Sequence, residues 1–217
     1  MTQGPFAFPA DVQAQIDSAI TILRRDGIVA YPTDTVFGLG ARMSSVPGVQ
    51  HIFRTKRRPP VMALPLLVAE MADILRLATE VPPLARRLIE AFMPGQLTLV
   101  LSASPTVPPL ITANEDTVAV RIPDHPVPIA LIRGIGEPLV GTSANLTGWP
   151  SPVTAAQVHH QLGAEVDLII DDGQPCSGDP STIVDVTCSP PVVLREGMVS
   201  IDAIEQVYAD FVAGGEE

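Results

Sequence analysis

The sequence predicts a single α/β domain built on a mixed sheet. Three observations predict it. Short apolar runs of strand length recur along the chain. Stretches with apolar residues at helical spacing alternate irregularly with them. Several strands then follow one another late in the chain, which a purely parallel winding would not give. The 217 residues carry no long linker, repeat or low-complexity segment. One domain with ample core is therefore expected over residues 10–207, with residues 208–217 as a helix end and tail.

Residues 11–26 form the first predicted helix. Val12, Ile16, Ala19, Ile20 and Leu23 share a face, and Gly27 stands where a helix-ending glycine belongs. The apolar run Ile28-Val29-Ala30-Tyr31 reads as a strand, stopped by Pro32, which offers no N–H to a ladder. Thr33, Asp34 and Thr35 follow at the strand end, where α/β proteins tend to bind ligands. Gly38 and Gly40 close that stretch and are expected to let the backbone turn sharply or approach a ligand. A short helix around Val49, Ile52 and Phe53 ends near a basic cluster at Pro59-Pro60. Residues 63–68 read as a strand, 71–77 and 84–92 as helices, and 97–101 as a strand. Residues 102–114 read as a connection.

Residues 117–122 alternate like a strand, 127–133 read as a helix, and Leu139-Val140 as a short strand opening into Gly141-Thr142-Ser143-Ala144-Asn145. Residues 154–162 read as a helix capped by Thr154. Strands at 168–170, 182–186 and 192–194, an amphipathic helix at 201–212 and a tail from 214 to 217 complete the chain.

Hydrophobic residues make up 46% and mean hydropathy is +0.30, values of a globular chain and not a disordered one. No apolar run is long enough to span a bilayer and no secretory leader is evident, so a reduced cytoplasmic setting is the expectation for Cys176 and Cys188. The formal net charge of −11 disfavours a broad nucleic-acid surface. Yet Arg54, Lys56, Arg57 and Arg58 cluster within five residues, and Lys56 is the sole lysine among 13 basic residues. Such a cluster reads either as a solvated helix end or as a local anion site.

Several familiar signatures fail. No G-x-x-x-x-G-K-[ST] loop is present, and Gly38-x-Gly40 lacks a third glycine, Met43 standing in its place. The histidines His51, His125, His159 and His160 have no metal-ligand spacing. Gly141-Thr142-Ser143-Ala144-Asn145 approaches a nucleophile elbow, but Asn145 replaces the second glycine. The adjacent Asp124 and His125 make poor partners for a Ser143 nucleophile, because neighbouring side chains diverge. What remains is a set of polar residues at strand ends: Thr35, Lys56, Arg58, Arg121, Ser143, Asn145, Ser181, Thr182 and Arg195. Arg121 sits between valine and isoleucine, and a cation in such a place wants an anion. Four cations with several hydroxyls suit a carboxylate together with a polyphosphate.

Six stretches in this order carry a resemblance. They are Tyr31-Pro-Thr-Asp-Thr35 with Gly38-Leu-Gly40, Lys56-x-Arg58-Pro59, Val118-Ala-Val-Arg121-Ile-Pro123, Thr142-Ser-Ala-Asn145 with Gly148 and Ser151-Pro152, Ser181-Thr-Ile-Val-Asp185, and Leu194-Arg195-Glu-Gly197. Through them the chain resembles the YrdC/Sua5 family of threonylcarbamoyl-AMP synthases over residues 16–204. The resemblance implies a single YrdC-like α/β domain in its short form. Its twisted, mixed parallel/antiparallel sheet is flanked by helices and lines a concave basic cavity. It implies condensation of L-threonine, bicarbonate or CO2, and ATP to threonylcarbamoyl-AMP, with release of diphosphate. The product would pass to a tRNA threonylcarbamoyl transferase complex for t6A modification, with at most weak direct RNA binding and no membrane.

By position, the resemblance implies that Thr35, Arg121, Ser143 and Ser181 hold threonine. It implies that Lys56, Arg58, Met62, Thr117, Asn145, Val153 and Arg195 face ATP, with Lys56 and Arg58 at the phosphates in the catalytic role. Mg2+ would come with ATP, and no dedicated metal cage is implied, though Asp34 is a candidate neighbour. The chain departs from the family where asparagine, histidine and threonine are common: Met62, Leu67 and Val153 stand there. The alternative is a non-catalytic, RNA-binding YrdC-like paralogue.

Overall fold

The computed structural model describes residues 6–215. The final two residues of the expected tail lie outside the described residues. In order, the elements are α1 (Ala10–Arg24), β1 (Val29–Tyr31), β2 (Gly38–Gly40), α2 (Val46–Thr55), β3 (Leu66–Leu67), α3 (Met71–Leu77), α4 (Pro83–Phe92) and β4 (Leu97–Ser102). Then come α5 (Pro109–Thr112), β5 (Thr117–Arg121), α6 (Pro126–Ile135), β6 (Leu139–Val140), β7 (Thr142–Ser143), α7 (Ala155–Leu162), β8 (Leu168–Ile169), β9 (Thr182–Asp185), β10 (Val192–Arg195) and α8 (Ile201–Ala213).

The mixed α/β class holds, but the strands divide between two sheets. Four strands run in the order β7-β2-β1-β8 and six in the order β10-β9-β4-β5-β3-β6. Both sheets mix parallel and antiparallel neighbours: β1 pairs parallel with β8 and antiparallel with β2, and β4 pairs parallel with β9 and antiparallel with β5. The chain passes from the larger sheet to the smaller at Gly141, between β6 and β7. The passage is tight, because a Cβ on Gly141 would lie 2.4 Å from Leu67 Cγ.

Three elements differ from expectation. Gly38-Leu39-Gly40 is a strand, not a turn, and Tyr31 faces Gly38 across the ladder. The two glycines make room for the fully buried Tyr31 ring, whose hydroxyl donates to Val140 O at 3.0 Å. A Cβ on Gly38 would stand 2.6 Å from Tyr31 Cε2. Gly38→Ala is therefore expected to cost about 1–3 kcal/mol by overpacking against a ring that cannot retreat, read by urea denaturation. The connection at 102–114 contains the single turn α5, which begins at Pro109, the one helical position where proline is favourable. Thr142 and Ser143 form β7 on the edge of the smaller sheet.

The helices follow their capping chemistry. Ser45, Thr154 and Ser200 accept backbone N–H groups three residues on, at the starts of α2, α7 and α8. One large core fills the space between the sheets and helices, from Ile28 and Phe37 to Leu88, Leu99 and Ile204. A smaller cluster beneath α1 and α6 holds Ile16, Leu23, Tyr31, Leu67 and Leu131. Helix α8 continues unbroken past residue 207 to Ala213, with Tyr208 and Phe211 packed on the large core. No helix among the described residues is long and apolar enough to cross a membrane.

Candidate active site

Arg121 closes β5, at one end of the larger sheet's interior strands. Leu67 lies beside it on β3, and the β4–β5 register continues to Thr98 on the other side. Thr98 Oγ1 meets Ser181 Oγ at 2.9 Å, just before β9 begins. Three neighbouring strands thus place Arg121, Thr98 and Ser181 in a row. The Thr33–Asp34–Thr35 loop reaches this row from the smaller sheet.

Arg121 is 6% exposed, and each of its three nitrogens has an acceptor. Nε donates to Gly95 O at 2.8 Å, Nη1 to Thr35 Oγ1 at 2.9 Å, and Nη2 to Asp34 Oδ1 at 2.6 Å. The anion that this cation demands is thus Asp34, a pairing across 87 positions of sequence. Asp34 thus engages a guanidinium through Oδ1. Thr33 Oγ1 accepts the Thr35 N–H and meets Thr35 Oγ1 at 2.9 Å, which fixes the threonine hydroxyl against Arg121. Ser177 and Gly178 close over the loop, hydrogen bonding to the carbonyls of Asp34 and Thr35. Arg195 donates to Ser181 O at 2.7 Å. Burial and then the nearby Arg121 charge lower the Arg195 pKa, so two guanidiniums share this corner.

A second group adjoins the first through the Ala144 N–H, which donates to Phe37 O at 2.8 Å. Here α2 ends. Arg57 adopts a left-handed φ of 49°, and the Arg58 N–H reaches back to Phe53 O at 2.9 Å. That reversal turns Lys56 inward and leaves Arg57 in solvent, with Arg58 half-buried between them. Lys56 is 2% exposed. Its Nζ donates to Ser143 O, to Asn145 O at 2.7 Å and to Asn145 Oδ1 at 3.4 Å, all uncharged acceptors. Burial, reinforced by the Arg58 charge, pulls its pKa down to about 7. Burial also lowers the Arg58 pKa. Arg58 Nη2 donates to Ala63 O at 2.9 Å, while its Nε is buried with no partner among the described residues.

Thr35, Arg121, Ser181 and Arg195 are therefore brought together, and Lys56, Ser143 and Asn145 form the adjoining wall with Arg58 at their edge. The other sequence-selected residues stand further out. Thr117 opens β5 opposite Ser102, four residues from Arg121 and so about 13 Å away along the strand. Met62 is exposed on the turn after Pro59. Val153 N–H donates to Gln157 Oε1 at 2.7 Å and its carbonyl accepts from Cys176. Leu67 is buried among apolar side chains. His125 caps α6, its Nδ1 accepting the Val127 N–H while Nε2 faces Asp172 at 3.4 Å, so it is committed away from Ser143. Sequence reasoning passed over Thr98, whose signal was a lone threonine in an apolar strand. Asp34 read from the sequence as a turn residue or a metal neighbour, and its pairing with Arg121 carried no signal there. No group of three or more His, Cys, Asp or Glu side chains fit to hold a metal is gathered among the described residues.

The arrangement can grip a carboxylate and a hydroxyl at one wall and neutralise phosphate charge at the other. Lys56 gives this wall a measurable property. At pH 8 a lysine with a pKa of about 7 is largely neutral, and an arriving polyphosphate favours its charged form. Binding of a polyphosphate here at pH 8 is expected to take up protons, up to about one per site. Calorimetry in buffers of different ionisation enthalpy reads this, and Lys56→Met is expected to abolish the uptake.

Comparison with known proteins places these features in a wider setting. The family model Sua5_yciO_yrdC, described as telomere recombination, matches residues 21–197. The threonylcarbamoyl-AMP synthase of Bacillus subtilis is 40% identical over 194 residues, covering 89% of this chain and 56% of that protein. A putative threonylcarbamoyl-AMP synthase of Mycobacterium tuberculosis is 38% identical, covering 93% of this chain and 92% of its own. The crystal structure of Pyrococcus abyssi Sua5 complexed with L-threonine superposes with a TM-score of 0.85 at 41% identity, over 88% of this chain and 56% of that one. Escherichia coli YciO superposes with a TM-score of 0.81 at 29% identity, covering 88% and 93%. The chain thus spans little more than half the length of the Bacillus and Pyrococcus relatives.

Proposed function

The chain belongs to the Sua5/YciO/YrdC family, and on that footing we propose that it is an L-threonylcarbamoyladenylate synthase. It would condense L-threonine, bicarbonate or CO2, and ATP, releasing diphosphate, as a nucleotidyltransferase. The observation that supports this most is the pairing of two cationic walls. The buried Arg121 with Thr35 and Ser181 suits a hydroxy amino acid, and the buried Lys56 beside Arg58 suits a polyphosphate. A similar structure is of a protein complexed with L-threonine, which supports the choice of amino acid.

In the proposed reaction, the neutral threonine amine first adds to CO2 and gives up a proton, or condenses with bicarbonate and releases water, to form a carbamate. A carbamate oxygen then attacks the α-phosphorus of ATP, and diphosphate leaves. Both reactants are anions, so positioning and charge neutralisation are the main tasks. Arg121 and Thr35 orient the amino acid by its carboxylate, with the Ser181 hydroxyl in the same corner and Ser143 facing it from the adjoining wall. A pocket that hydrogen-bonds the substrate hydroxyl rejects analogues without it far better than a size filter. Lys56 and Arg58 offset the charge that builds on the phosphates, with Asn145 beside them and Arg195 adding a cation from the Arg121 corner. Thr117, Met62 and Val153 would reach the nucleotide only at its periphery. Mg2+ arrives as part of the ATP substrate. The product would go to a tRNA threonylcarbamoyl transferase complex in the cytoplasm.

The test is to incubate the protein with threonine, bicarbonate and MgATP and detect diphosphate and a threonylcarbamoyl-AMP mass. Product that requires all three substrates supports the reading, and its absence sinks it. RNA binding without catalysis is the alternative. It calls for RNA affinity that falls steeply with salt, against which the −11 net charge weighs.

A further inference from the structure

The Arg121 corner holds one acceptor that the proposed reaction leaves unused. Asp34 is 9% exposed at its side chain, and its Oδ1 is committed to Arg121 Nη2 at 2.6 Å. Its Oδ2 is buried and has no hydrogen-bond partner among the described residues. A buried carboxylate oxygen without a donor is costly, and its presence calls for a reason. The neighbouring Asp172 is otherwise engaged, facing His125 Nε2. The carbonyl of Asp34 is already held by Ser177 and Gln96, so the backbone is fixed while Oδ2 is free.

We propose that Asp34 Oδ2 is the acceptor for the α-amino group of the substrate, making Asp34 the residue that separates amino acids from other hydroxy acids. This rests on the reading of the Arg121 corner as an amino-acid pocket. In an α-amino acid, the ammonium and the carboxylate share one carbon. A site that grips the carboxylate with a guanidinium therefore needs an anionic acceptor directly alongside. Asp34 fills that place because it touches the same guanidinium. Its Oδ1 steadies Arg121 and its Oδ2 reads the amine. The ammonium also restores charge balance, since the substrate carboxylate would otherwise compete with Asp34 for Arg121. Sequence placement alone could not assign this role, because Asp34 sits in a loop with ordinary turn chemistry.

The experiment compares L-threonine with 3-hydroxybutanoate, which keeps the carboxylate and the hydroxyl and lacks the amine. Binding of each is measured by calorimetry to the wild type, Asp34→Asn and Asp34→Glu, with ATP affinity as the check on an intact fold. The wild type is expected to favour threonine by about 10- to 100-fold, the worth of a hydrogen bond to a charged group. Asp34→Asn is expected to bring that ratio close to one by weakening threonine, while 3-hydroxybutanoate binds no more weakly than to the wild type, since its carboxylate then has no charged rival for Arg121. Asp34→Glu keeps the charge on Arg121 and shifts the free oxygen by a methylene. It is expected to fold even if Asp34→Asn does not, and to lose most of the preference. An undiminished preference in both variants overturns the assignment. Equal loss of both ligands also overturns it, because Asp34 then only positions Arg121. A wild type that binds neither ligand overturns the underlying pocket reading, and the assignment with it.

Discussion

Arg121→Ala is expected to destabilise the protein by about 3–5 kcal/mol, the cost of stranding a buried charge. Asp34 would be left with both carboxylate oxygens unpartnered behind a side chain only 9% exposed. Gly95 O and the Thr35 hydroxyl would lose their donor as well. Loss of threonine binding should accompany the change, but the stability effect is the larger and is measurable without any ligand. Urea denaturation reads it directly. The double variant Arg121→Ala/Asp34→Ala separates causes, since removing the stranded carboxylate should recover much of the loss. A single variant within about 1 kcal/mol of wild type would mean that the Arg121–Asp34 pair does not hold this corner together.

Lys56→Met should act in opposite directions on activity and stability. Lys56 is the buried lysine proposed to face the phosphates, and losing such a group costs about 10²- to 10³-fold in kcat. Stability at pH 7 should equal or exceed that of wild type, because methionine fills similar space without a desolvated ammonium. The pH dependence follows from the depressed pKa of about 7. Unfolded lysine keeps its proton to about pH 10.4, so between these values the unfolded chain binds more protons than the folded one. The penalty carried by Lys56 is thus full below about pH 7 and fades as pH rises towards 10.4. The stability of the wild type should climb relative to Lys56→Met over that window. Parallel pH profiles for the two proteins would refute the buried-lysine assignment.

Much of the site was legible because its residues lie in short stretches with unusual chemistry. A lone lysine between arginines and an arginine inside an apolar strand are exceptions that sequence shows plainly. The left-handed Arg57 explains the spacing of Lys56 and Arg58, which send their side chains inward on either side of it. One helix start was legible from its cap, Thr154. The elements missed were β2, β7 and α5, which are too short to show a period, and β2 is built from glycines that normally weaken strands. The split into two sheets was not legible, since it depends on where Gly141 lets the chain cross. Nor was the partner of Arg121. An ion pair across 87 positions leaves no local pattern, and Asp34 on its own reads as a turn residue.

Isotope exchange between labelled diphosphate and ATP tests the proposed chemistry most directly, because it reports adenylation of the carbamate without requiring the product to accumulate. Exchange should appear with threonine and bicarbonate present together, and vanish when either is withheld or when Arg121 or Lys56 is replaced. Exchange with threonine alone would mean that the amino acid carboxylate itself is adenylated, and no exchange under any condition would mean that the chain does not activate threonine at all.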